Sequence, residues 1–85
     1  MPKLNYVENT LRKAGYSLRI DHSDRLYRRY EDTVGKGRPD IGFMVNSFGE
    51  VDKHFNVHGL VMSGYTLTPT VDGIKDAIRI ASINR

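Results

Sequence analysis

The stretch YSLRIDHSDRLYRRYE, residues 16–31, decides the fold. Tyr16, Leu18 and Ile20 alternate with Ser17, Arg19 and Asp21, the period-two pattern of a strand with one buried face. Asp21-His22-Ser23-Asp24 interrupts the alternation with short polar side chains that bond their own backbone, which is turn chemistry. Arg25 to Glu31 then reads as a second strand. With Leu26 and Tyr30 turned inward, Arg25, Tyr27 and Arg29 line the opposite face. Two strands joined by a turn leave an apolar side that the rest of the chain must cover.

Downstream, Val34-Gly35-Lys36-Gly37-Arg38-Pro39-Asp40 reads as a basic loop. Ile41, Phe43 and Val45 alternate as a third strand. Asn46-Ser47-Phe48-Gly49-Glu50 has the glycine a hairpin connection needs. Val51 to His58 continues the pattern, with Val51, Lys53, Phe55 and Val57 on one side and Asp52, His54, Asn56 and His58 on the other. Leu60-Val61-Met62, bracketed by Gly59 and Gly64, is strand or a bulged continuation.

Both ends read as helices. From Lys3 to Gly15, Leu4, Val7, Leu11 and Ala14 recur at three- and four-residue steps, and Gly15 suits the left-handed residue that ends a helix. In the second, Thr68 is the expected N-cap and Pro69 the first helical position. Val71, Ile74, Ala77, Ile78 and Ala81 form its apolar stripe. Asp72 in the first turn and Arg79 and Arg85 near the end match the helix dipole. Gly73 costs about 1 kcal/mol relative to alanine.

Each helix has a single apolar face and must pack on the sheet. The expected architecture is an α+β fold: a two-layer α-β-β-β-α sandwich, with both helices on one face of an antiparallel three- to four-stranded sheet. The other face is then wet, presenting Arg19, Arg25, Tyr27, Arg29, His54, Asn56 and His58.

With 85 residues, one small domain spanning 1–85 is expected. Leu, Ile, Val and Phe make up about a quarter of the chain, above the roughly one-fifth below which disorder is expected. A domain this small has no room for a deep substrate cavity. Cysteine is absent, which excludes disulfides, zinc-thiolate sites and thiol catalysis. No apolar run reaches the length of a membrane span, and the first residues lack the apolar stretch of a signal peptide. A cytoplasmic location is the expectation.

The net charge of +3 is unevenly spread. Arg12, Lys13, Arg19, Arg25, Arg28, Arg29, Lys36 and Arg38 crowd into residues 12–38, against Asp21, Asp24, Glu31 and Asp32. A polyanion or an acidic protein face is therefore drawn to one region. Arginine dominates this set, and its planar fork suits phosphate and carboxylate.

Several short motifs bear on chemistry. Asp52, His54 and His58 share a strand face, but a further firm ligand and a second shell are not visible, so no metal or other cofactor is expected. Adjacent Asp21, His22 and Ser23 read as a turn, since a nucleophilic triad converges through the fold. Pro39-Asp40 followed by Glu50-Val51-Asp52-Lys53 is similar to a metal-dependent nuclease pattern, yet Val51 occupies the acid's place, and a one-residue slip flips a strand side chain. Gly35-Lys36-Gly37-Arg38 offers backbone amides to a phosphate but lacks the Walker spacing and hydroxyl. The arginine–tyrosine–arginine face of the second strand is the most useful constellation: arginine contacts phosphate and tyrosine stacks on a base. The same residue types anchor protein interfaces.

The element order resembles the double-stranded-RNA-binding fold. Leu11-Arg12-Lys13-Ala14-Gly15-Tyr16, His22-Ser23-Asp24-Arg25-Leu26-Tyr27-Arg28 and Thr68 to Ile83 are similar to segments of HicA-type toxins, small RNA-cleaving proteins paired with a HicB antitoxin. The resemblance covers about half of the chain. It implies RNA cleavage with His22 as the candidate catalytic residue. The family's histidine follows the serine, where this chain has Asp24. Residues 40–64 match nothing in the family, and Val71-Asp72-Gly73 stands where a double-stranded-RNA-binding domain has its lysine cluster.

The primary expectation is a small binding module that grips RNA or DNA through Arg19, Arg25, Tyr27, Arg29, Lys36 and Arg38. The second is an inhibitor encoded by a phage or mobile element, for example an anti-CRISPR, that blocks a host complex through an acidic protein surface. The third is a HicA-like ribonuclease. No membrane partner is expected, and homodimerisation is left open.

Overall fold

Tyr16, Leu18 and Tyr30 share one face of the first strand pair, as their alternation requires. The computed structural model describes residues 1–19, 26–59 and 67–83. In it β1 (Tyr16–Leu18) runs antiparallel to β2 (Tyr27–Asp32), with Tyr16 opposite Asp32 and Leu18 opposite Tyr30. β3 (Ile41–Met44) continues the sheet with Tyr30 opposite Ile41, Arg29 opposite Gly42 and Tyr27 opposite Met44. β4 (Asn56–Val57) adds a short edge, Asn56 opposite Gly42. The sheet order is β1-β2-β3-β4, antiparallel at each step.

Helices α1 (Leu4–Lys13) and α2 (Val71–Ile83) complete the α+β fold. Val7 and Leu11 from α1 and Ile74, Ala77, Ile80 and Ala81 from α2 are buried in one cluster with Tyr16, Tyr30, Ile41, Phe43 and Val57. Two contacts place both helices on the same face of the sheet. The Tyr30 hydroxyl donates to Glu8 of α1 at 2.8 Å. Phe55, set edge-on against Phe43 at 5.4 Å between ring centres, lies 3.4 Å from where a Cβ would stand on Gly73 of α2. Tyr30 and Phe43 stack at 5.5 Å beneath them. Burying these aromatic side chains together with the aliphatic residues of both helices is what offsets the ordering entropy of the chain.

Several local expectations are corrected. The first helix is shorter than Lys3 to Gly15, because Lys3 is an extended cap residue bridged to Glu50. Gly15 does take the left-handed backbone, at φ +91°. The second helix is capped by Thr70 rather than Thr68: Gly73 N–H donates to Thr70 Oγ1 at 3.1 Å. Pro69 therefore precedes the cap. Gly73 is needed for a reason propensity does not show, since a Cβ there would overlap the Thr68 carbonyl. The fourth strand is two residues, not Val51 to His58. Val51 meets Val45 in an isolated bridge, and the ladder lapses before Asn56, although Val51, Phe55 and Val57 all reach the core. The Asn46–Glu50 connection is a turn as read, with Asn46 Oδ1 accepting from Phe48 N–H at 2.9 Å and Glu50 N–H at 3.0 Å. The Asp21–Asp24 turn, Arg25 and the Leu60–Gly64 run lie outside the described residues.

Among the described residues no helix is long and apolar enough to cross a membrane.

Candidate functional site

The sheet face turned away from the helices follows directly from strand alternation. Tyr30 and Arg28 point to the helix side, so Tyr27, Arg29 and Glu31 point outward. By register, Gly42 and Met44 of β3 and Asn56 of β4 join them. Arg19 continues β1, its N–H bonded to the Arg29 carbonyl at 3.0 Å, so the two arginines lie side by side. His58 follows β4 and its N–H donates to the Asp40 carbonyl at 2.8 Å.

Two linked clusters result. Asp40 Oδ2 accepts from Arg29 Nε at 2.7 Å and from Arg19 Nη1 at 3.1 Å. These side chains are 32% exposed for Arg19 and 38% for Arg29, against 16% for Asp40, so the guanidiniums reach solvent while their shared carboxylate sits deeper. Beside them the Tyr27 hydroxyl lies 2.7 Å from His58 Nε2, the rings nearly perpendicular at 6.1 Å between centres. The tyrosine ring crosses the backbone of Gly42. A Cβ there would overlap the Tyr27 hydroxyl and come within 2.7 Å of His58 Nε2. Glycine inside a strand often marks such a close approach.

Burial, reinforced by the Arg29 charge, pushes the His58 imidazole below the ordinary histidine range. Burial likewise pushes the Tyr27 phenol up. At neutral pH the pair is therefore an uncharged hydrogen-bonded couple. Among the described residues the face thus offers the Tyr27 ring, the neutral His58 imidazole, the Arg19 and Arg29 guanidiniums, the Asn56 amide and two carboxylates, Asp40 between the arginines and Glu31 two residues along β2 from Arg29.

Arg19, Tyr27 and Arg29, read from alternation alone, come together as expected. Arg25 and the candidate catalytic His22 lie outside the described residues. Lys36 is exposed in the loop between β2 and β3. Arg38 does not belong to the surface. It is 8% exposed, donates to Asp32 at 2.9 Å and to the Ala14 carbonyl at 2.7 Å, and lies 4.5 Å over the Tyr16 ring. Its charge is spent inside the fold, so it is removed from the contact set.

The Gly35–Arg38 loop is corrected in the same way. Two of its amides, those of Lys36 and Arg38, are already committed to an anion of the chain itself. Asp32 Oδ2 accepts from Lys36 N–H at 3.0 Å and Arg38 N–H at 3.2 Å, while Oδ1 accepts from Val34 N–H at 3.0 Å. An aspartate three residues before the loop could have signalled this, because Asp bonds backbone a few residues on.

Asp40 is the acid of the nuclease-like pattern, and His58 belongs both to the outward face and to the Asp52, His54, His58 group. The nuclease pattern does not assemble: Glu50 bridges Lys3 at the far end of β3 from Asp40, about 20 Å away at the rise of a strand. The described residues contain no group of three or more His, Cys, Asp or Glu suited to a metal ion. A groove of about 450 Å³ lined by Met1, Pro2, Pro69, Thr70 and Val71 carries no charged side chain.

The chain matches no protein-family model, and comparison with curated proteins and with solved structures likewise finds no match.

Proposed function

We propose that the open sheet face binds single-stranded nucleic acid, with a base stacked on Tyr27 and backbone phosphate held by Arg19 and Arg29. The observation that carries this is the Tyr27 ring laid across Gly42 immediately beside two partly exposed arginine side chains. Base stacking on such a ring is worth about 1–3 kcal/mol and tolerates any base, since every base has a π-face. Guanidinium pairs in turn match phosphate oxygens.

A duplex is a poorer fit. The first turn of α2 presents Asp72, which repels phosphate, and carries no lysine or arginine. A flat sheet face also suits splayed bases better than paired ones. No cleavage step is included in this reading.

The test is fluorescence anisotropy with labelled single-stranded RNA and DNA of mixed sequence, over a salt series. The expected result is saturable binding in the micromolar range that weakens several-fold between about 50 and 200 mM salt, a shallow slope set by two or three phosphate contacts. Tyr27→Ala weakens it about tenfold or more, and Lys36→Ala changes it little. Absence of binding to either strand at about 50 mM salt overturns the reading. Recovery of a stoichiometric protein partner from nuclease-treated lysate would then reassign the face to an acidic protein surface.

A further inference from the structure

Asp40 is the residue a plain phosphate-binding face would not carry. It stands between the two arginines, offsets one of their charges and repels any phosphate they attract. Its geometry gives it a different use. Both arginine contacts fall on Oδ2, and Oδ1 takes no hydrogen bond among the described residues. Oδ1 is not sealed in either: the buried side-chain atoms without a partner among the described residues are the Nε atoms of Arg28 and Arg38. A carboxylate with one oxygen fixed and the other unbonded and not fully buried is an acceptor waiting for a donor.

The matching ligand must present a hydroxyl donor next to an anion. An anion alone is repelled by Oδ1, and a neutral sugar brings no charge to the two guanidiniums. In a polynucleotide, the ribose 2′-hydroxyl adjoining its 3′-phosphate meets both requirements on neighbouring atoms, and deoxyribose does not. Acidic side chains take ribose hydroxyls in this way in dinucleotide-binding folds as well.

We infer that Asp40 is a specificity-determining residue: its Oδ1 accepts the ribose 2′-hydroxyl while Arg19 and Arg29 hold the adjoining phosphate, making the face selective for RNA over DNA. This rests on the single-strand reading above and names the substrate of the same face. Shared Oδ2 contacts hold the carboxylate in one orientation, so little entropy remains to be lost when the hydroxyl arrives.

The experiment measures affinities of sequence-matched single-stranded RNA, DNA and 2′-O-methyl RNA for the wild type and for Asp40→Ala. For the wild type, RNA binds about tenfold more tightly than DNA, the worth of one hydrogen bond to a charged group. The 2′-O-methyl strand keeps the ribose pucker but loses the donor, and drops to the DNA level. In Asp40→Ala the RNA-to-DNA ratio collapses toward one, and DNA itself binds more tightly because a negative charge has gone. Equal wild-type affinity for RNA and DNA overturns the inference and leaves the single-strand reading standing. So does an RNA preference that survives Asp40→Ala or 2′-O-methylation. If neither strand binds, both readings fall together. The ratio is read within each variant, so a general loosening of Arg19 and Arg29 cannot imitate the result.

Discussion

Arg38 and Asp32 form an ion pair whose side chains are only 5% and 4% exposed, with Nη2 2.9 Å from Oδ1. The same Nη2 donates to the Ala14 carbonyl just past the end of α1, so one guanidinium ties that helix to the β2–β3 connection. Removing one partner of a buried pair leaves the other charge stranded, which is far more damaging than losing a surface cation. Arg38→Ala is expected to lower the melting temperature by on the order of 10 °C or more. Lys36→Ala, two residues away and exposed, shifts it by no more than about 2 °C. Thermal melts by circular dichroism compare them, and equal shifts contradict the assignment of Arg38 to the fold.

The same pair sets an acid limit. The Arg38 side chain beside Asp32, helped by the Val34 and Arg38 amides, holds the Asp32 carboxyl well below the usual carboxylate range. The unfolded chain therefore takes up this proton first, near the ordinary value of about 4. The stabilisation is complete above that pH and is lost as pH falls toward the depressed folded value. Urea midpoints for the wild type should fall steeply as pH drops from about 4 to about 2. Asp32→Asn should start lower and decline less over that interval. Parallel curves for the two proteins would remove Asp32 from the acid response.

Gly73 reverses a general rule. Glycine-to-alanine in a helix normally gains up to about 1 kcal/mol. Here the new Cβ overlaps the Thr68 carbonyl, and that segment is held by Leu67, whose carbonyl accepts from Phe55 N–H at 3.1 Å. Gly73→Ala is expected to lower the melting temperature, and Thr70→Ala to cost about 1 kcal/mol through the lost cap. A stabilised Gly73→Ala would show that the Leu67–Pro69 segment is not packed against α2.

The sheet and its outward face were readable because alternation carries them: Tyr16, Tyr30, Ile41 and Phe43 each fell on the buried side. The ends of elements were not. Thr68 and Thr70 are both plausible caps in sequence, and only the close passage of the chain at Gly73 decides between them. Arg38 read as a surface cation because charge in a glycine-rich loop is normally solvated, and Asp32 figured only in the charge balance of residues 12–38, with no pairing assigned to it. Asp40 carried a signal but was attached to Glu50–Lys53, whereas His58 fell on the outward face with Tyr27 and Arg29 without its contact to Tyr27 being legible. What joins them to Arg29 and Tyr27 is strand register across β2, β3 and β4, which no local pattern encodes. Gly42 was the nearest available hint.

His58 is expected to report on the whole face. The groups acting on it are Tyr27 and Arg29 from β2, Asp40 preceding β3, and Arg19 following β1. Because folding favours the neutral imidazole, its contribution to stability is present above about pH 6.5 and is lost as pH falls below it. Nuclear magnetic resonance titration of the His58 ring should give a midpoint below that ordinary value. Gly42→Ala displaces Tyr27, exposes the imidazole and moves the midpoint back up. It should also weaken oligonucleotide binding several-fold. An unchanged midpoint in Gly42→Ala would mean that the Tyr27 ring does not shield His58.

Amide chemical-shift mapping during titration with a single-stranded RNA oligonucleotide puts the outward sheet face to its sharpest trial. The account predicts that the largest shifts fall on Arg19, Tyr27, Arg29, Gly42, Asn56 and His58, with α1 and α2 nearly silent. Shifts concentrated on the helices, or on the Gly35–Gly37 loop, would contradict it.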